Sequence, residues 1–178
     1  MNDAINPPTP PVELTQSNIQ NIIMQSDNGE DPFNLCYPFV NYFIVKYKNS
    51  KIFNEQFIND STKLFNLLYV VFNKEYLFIL EKINKDDNTI EFNKEEQQEF
   101  ELFKEFIDNL QYINENISYI KNENDFLNNK LINEKINSII NYLQKKNNDM
   151  ADINESMKKV NKSLEDVYNL LKPLSEKV

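Results

Sequence analysis

From Asn93 to Lys172 the chain contains neither glycine nor proline. No other feature constrains the fold as strongly. Without these two residues nothing obvious breaks a helix, and an unbroken helix over this stretch would be about 120 Å long at 1.5 Å per residue. Apolar residues recur along it in steps of three and four, the signature of a long seam between helices. Phe103, Phe106, Leu110, Ile113, Ile117 and Ile120 form a first register, which Asn124, Leu127 and Leu131 continue. A second register runs Ile136, Ile139, Leu143, Met150, Ile153, Met157, Val160, Leu164, Val167 and Leu171, failing once, at Lys146.

The two registers do not join. A skip near Asn128-Asn129 in a continuous rod accounts for the mismatch. A fold-back into an antiparallel bundle accounts for it too, and for the polar stretch Gln144 to Asp149. The absence of Gly and Pro favours the rod. In the second register, Ile136, Leu143, Met150, Met157, Leu164 and Leu171 fall at position a of the heptad. Ile139, Lys146, Ile153, Val160, Val167 and Leu174 fall at d. Branching at d with unbranched side chains at a reverses the parallel-dimer preference, which points to higher-order or heteromeric bundles.

The N-terminal half is different in kind. Most of the 22 Phe and Tyr side chains lie between Phe33 and Tyr119, enough for one compact core. Residues 1–14 hold Pro7, Pro8, Pro10 and Pro11 and can form neither helix nor core. They read as an extended arm, either a tail or a peptide lying along a neighbouring subunit. Ser17-Asn18-Ile19-Gln20 resembles a capping box ahead of Ile19, Ile22 and Ile23 at one-face helical spacing. Asp27 to Pro32 is the clearest turn. From Phe33 to Tyr47 strand-like composition competes with helix, and helix is expected from Pro38 onward. A short helix around Ile52 to Ile58 follows, and Asp60-Ser61-Thr62 opens a strong helix reaching about Asn84. A hairpin ending in Thr89-Ile90-Glu91-Phe92 competes after the polar turn at Lys85 to Asn88. Asn93-Lys94-Glu95-Glu96 is a second capping box.

The expected fold is therefore mainly α: an extended arm (1–14), a small aromatic-rich helical N-terminal domain (15–92), long coiled-coil helices or a helical bundle (93–172) and a tail (173–178).

Composition removes most site chemistry. There is no histidine, no arginine and no tryptophan, and one cysteine and one glycine. No Ser-His-Asp triad, Cys-His dyad or ordinary zinc or haem site can be built, and no Gly-rich phosphate loop. Cys36 lies in the apolar run Phe33 to Tyr37 with no base nearby, which suits a buried small hydrophobe. The acidic clusters at Asp86-Asp87, Glu95-Glu96 and Glu99 to Glu101 read as solvated helix faces. No enzyme, cofactor or metal is expected. A net charge of −9 without arginine argues against a nucleic-acid partner. No apolar run is long enough for a transmembrane segment. A lone cysteine and a start without signal-peptide character point to a cytoplasmic, reducing setting. The 30 asparagines follow from AT-rich codons and carry little structural weight on this reading.

The expected function is that of a non-catalytic structural or adaptor subunit, a scaffold component that joins other protein subunits through its coiled-coil helices as a hetero- or homo-oligomer. The partner-binding seam comprises Ile113, Ile117, Ile120, Leu127, Ile136, Ile139, Leu143, Met150, Ile153, Met157, Val160, Leu164, Val167 and Leu171. Small size and acidity also suit an inhibitor of the immunity, antitoxin or anti-defence type that binds one basic target, or a viral structural protein.

Overall fold

A computed structural model describes residues 13–84 and 92–175, and among them every regular element is helical. The Pro-rich arm up to residue 12 and the competing strand at 89–91 lie outside the described residues. Six α-helices follow in order: α1 (Gln16–Asp27), α2 (Pro32–Val45), α3 (Glu55–Asn84), α4 (Lys94–Asn116), α5 (Glu123–Asn128) and α6 (Lys130–Ser175). The chain divides into two compact units, with the boundary between Ile140 and Asn141. The change of character expected at residue 93 thus falls well inside the first unit.

Helix α1 starts two residues ahead of the expected box. Thr15, not Ser17, is its cap, with Oγ1 accepting from the Asn18 amide at 3.1 Å. Its far end explains the lone glycine. Gly29 has φ +96°, its N–H reaches the Ser26 carbonyl at 3.1 Å, and the Glu30 N–H reaches Gln25 at 3.1 Å. This pair of bonds closes a left-handed helix end that a Cβ would strain.

Helix α2 begins at Pro32, six residues earlier than expected. Asp31 caps the Phe33 amide at 3.0 Å and Pro32 occupies the first turn, where its missing N–H costs nothing. Pro38 sits inside the helix but on its exposed face, and Asn34, whose carbonyl loses its donor, is an exposed residue too. The opposite face buries Phe33, Cys36, Val40, Phe43 and Ile44. Burial at helical spacing outweighs the strand-like composition. A π-helical turn, Lys46–Ser50, ends at Lys51 in the left-handed region.

Helix α3 is one element of 30 residues, not two. Asn54 caps it, accepting from the Phe57 amide at 2.9 Å. The start signal read at Asp60-Ser61-Thr62 is absorbed within the helix: Ser61 Oγ donates to the Phe57 carbonyl at 2.6 Å and Thr62 Oγ1 to Ile58 at 2.8 Å. From Phe57 to Phe72 this helix supplies the largest share of the core, while Leu77 and Phe78 near its end are exposed.

Helix α4, capped by Asn93 as expected with Oδ1 2.8 Å from the Glu96 amide, packs along α3. Phe106 meets Phe72 edge-on at 5.2 Å, and Tyr76 stacks on Phe100 at 5.8 Å. Asn114 ties the two helices together, donating to the Phe65 carbonyl at 3.0 Å.

The continuous rod expected from 93 to 172 is interrupted. A 3₁₀ turn at Ile117–Tyr119, the short α5 and a new start at Lys130 separate α4 from α6. Asparagine does what glycine and proline usually do. Asn122 caps the Asp125 amide at 2.9 Å and Asn129 caps Ile132 at 3.0 Å. Asn133 then donates to the carbonyls of Phe126, at 2.8 Å, and Asn129, at 2.9 Å. These bonds satisfy backbone groups that a continuous helix would have paired internally. The polar stretch 144–149, the other expected weak point, is continuous helix.

The turn brings Phe126 into the aromatic core. Its ring lies 4.7 Å from Phe53, 5.7 Å from Phe57 and 6.3 Å from Tyr47. Ile132, Ile136, Ile139 and Ile140 on α6 are buried as well. Tyr47 donates to Asn133 Oδ1 at 2.7 Å, and burial pushes its phenol above the ordinary range against the opposing hydrogen bond with Asn137. Replacing Tyr47 with Phe should cost about 1 kcal/mol, the net worth of one such bond, in a urea unfolding curve.

Candidate functional site

The fourteen residues expected to form one partner-binding seam are divided by the fold. Ile113, Ile117, Ile120, Ile136, Ile139 and Leu143 are buried. These six are spent on the chain's own interior and are not available to a partner. Their three-and-four spacing was real, but for the five that lie in the first unit, all except Leu143, packing within that unit produces the same pattern as a coiled coil. Leu127 is exposed, because α5 turns Phe126, one residue earlier, into the core. Leu131 is exposed for the same reason, with Ile132 taking the buried place. Met150 is half-buried.

The remaining six stand together. Every residue from Ala151 to Leu174 is exposed. Within that stretch Ile153, Met157, Val160, Leu164, Val167, Leu171 and Leu174 are each between 51% and 62% exposed, although all are large and apolar. Heptad spacing places them on one face of α6. An open groove of about 370 Å³ runs between Ile153, Met157 and Val160.

Two further residues broaden this face: Tyr168 and Leu170, which flank the seam at positions e and g, are 64% and 73% exposed. They were missed because the search followed only a and d. Elsewhere the flanks are small and uncharged, with Asn154 and Asn161 at e and Ser156 and Ser163 at g. The eight charged side chains of the stretch lie at b, c and f, four acidic and four basic. In a chain of net charge −9 this segment is electrically balanced.

What the arrangement offers is apolar area. Fully burying a Val, Leu, Ile or Met side chain contributes about 1.5–3 kcal/mol, so seven half-exposed ones represent a large driving force for association. An isolated helix of this length and composition is marginal in water, and covering its apolar face is what stabilises it.

Other chemistry-bearing groups are occupied structurally. Cys36 is 1% exposed, and burial, aided by the charge of Asp31, pushes its thiol up to about 12. It should resist alkylation at neutral pH in the native protein and react at once in denaturant, a contrast read by mass spectrometry. A second cavity, of about 270 Å³, lies among Leu14, Phe43, Phe57 and Leu64, with Gln56 donating to Asp60 at 2.9 Å on its rim. Among the described residues no group of three or more acidic, Cys or His side chains could hold a metal ion. Nor is any described helix long and apolar enough to cross a membrane.

No family model, curated protein or solved structure matches this chain.

Proposed function

We propose that this protein is a non-catalytic adaptor or structural subunit that assembles through the apolar face of α6 between Met150 and Leu174. One observation carries the reading: seven large apolar side chains at heptad spacing, all more than half exposed, on a helix whose other faces are charged or polar. Scattered exposed apolar residues need no explanation, but an aligned stripe of this extent marks an interaction surface. The first unit, with its own core of Phe, Leu and Ile, would position that surface.

Cross-linking through lysine tests the assignment on the full chain. Lys158, Lys159, Lys162 and Lys172 lie on the segment that carries the seam, whereas Lys63, Lys74 and Lys104 belong to the first unit. Intermolecular links should concentrate on the first four. Links confined to the first unit, or none at any concentration, would overturn the proposal.

A further inference from the structure

We infer that the occupant of the α6 seam is a second copy of the same chain, bound antiparallel about a two-fold axis at the level of Lys162. The inference rests on the adaptor reading above and names its partner.

The first argument is the pairing of layers. In an antiparallel pair each a position of one helix meets a d position of the other. With the axis at Lys162, Met150 meets Leu174, Ile153 meets Leu171, Met157 meets Val167, and Val160 meets Leu164. The seam closes on itself from end to end with no polar residue in any layer. Ile153, Val160 and Val167, branched at Cβ, each face an unbranched Leu or Met. A parallel in-register pair would instead stack branched on branched at those d layers and unbranched on unbranched at a. That is the reverse of what parallel dimers favour.

Charge supplies the second argument. In the antiparallel pair Lys158 comes to the level of Glu165 and Asp166 of the other copy, and Lys159 does the same. Lys158 and Glu165 both occupy b, and Lys159 and Asp166 both occupy c, so each pair lies along the same side of the seam. The flanks between them, Asn161 and Ser163, are small enough for long side chains to reach across. Within its own helix Lys159 is only loosely engaged, 3.9 Å from Glu155 with both side chains exposed. A parallel pair would set Lys158, Lys159 and Lys162 at the height of their own copies. The neutral e and g positions remove the charged flanks that commonly enforce choice of a different partner.

Sedimentation of the full chain over a concentration series, combined with single cysteines, tests this. The expected mass at high concentration is twice 21.2 kDa. In the antiparallel pair the two copies of Ser163 lie about 3 Å apart along the axis, while those of Ser156 lie about 18 Å apart. Ser163→Cys should therefore be joined between copies by a short bismaleimide whose span matches the interhelical distance of about 8–10 Å, and Ser156→Cys should not. The wild-type chain, which carries only the buried Cys36, is the control. A dimer in which Ser163→Cys fails to cross-link overturns the antiparallel arrangement, as does a trimer or tetramer mass. A monomer at every concentration that still cross-links to other proteins through Lys158, Lys159, Lys162 or Lys172 overturns the second copy and leaves the adaptor reading standing. A monomer without such links overturns both.

Discussion

Replacing Leu164 and Val167 together with Asp should abolish association while leaving the first unit folded. Both side chains are more than half exposed in the single chain, so their loss removes nothing from its interior. In an assembled seam the same change buries two carboxylates without partner charges. Each such burial costs several kcal/mol, and at 1.4 kcal/mol per tenfold the pair weakens binding by at least about a thousandfold. Two measurements decide it. Sedimentation or partner recovery should show the variant free of its complex. Its thermal unfolding, followed by the near-ultraviolet signal of the tyrosines, should keep the transition of the first unit. Cooperative loss of that transition would show that the face of α6 is needed for the chain's own core, and would sink the seam.

Truncating Phe126 to Ala should strongly destabilise the first unit. Its side chain is fully buried against Tyr47, Phe53 and Phe57, from the stretch that links the π-helical turn to the start of α3, far from it in sequence. Large-to-small changes at such sites cost about 3–5 kcal/mol, from lost burial and the cavity left behind. Domains of this size are stable by only about 5–15 kcal/mol, so the variant should unfold at a much lower urea concentration than the wild type. Leu127→Ala, one residue along and exposed, is the control and should change the midpoint little. Equal effects at the two positions would contradict the packing of α5.

The helical class was legible in the sequence because it rests on local rules. Apolar residues at three-and-four spacing, one glycine in the chain and a capping box at Asn93 all act within a few residues of one another, and each reappears in the structure. The buried character of Cys36 was legible for the same reason, from its apolar neighbours. Most of the boundaries were not. Asn54, Asn122 and Asn129 each cap a helix or a turn of one. In a chain with 30 asparagines, nothing local separates a capping asparagine from one that codon usage put there. That ambiguity hid the break between α4 and α6 and made one rod out of two packed elements.

The seam divides along the same line. Ile113, Ile136 and Ile139 obey the same spacing as Ile153, Val160 and Val167, because a helix that packs on its own chain and one that packs on another need the same apolar stripe. Periodicity determines that a face will be covered; it does not say whether the chain's own core or another chain covers it. Only the tertiary structure decided that, by turning the chain at Asn122 and Asn129 so that the first set is used up in the interior and the second, beyond Met150, stays exposed to water.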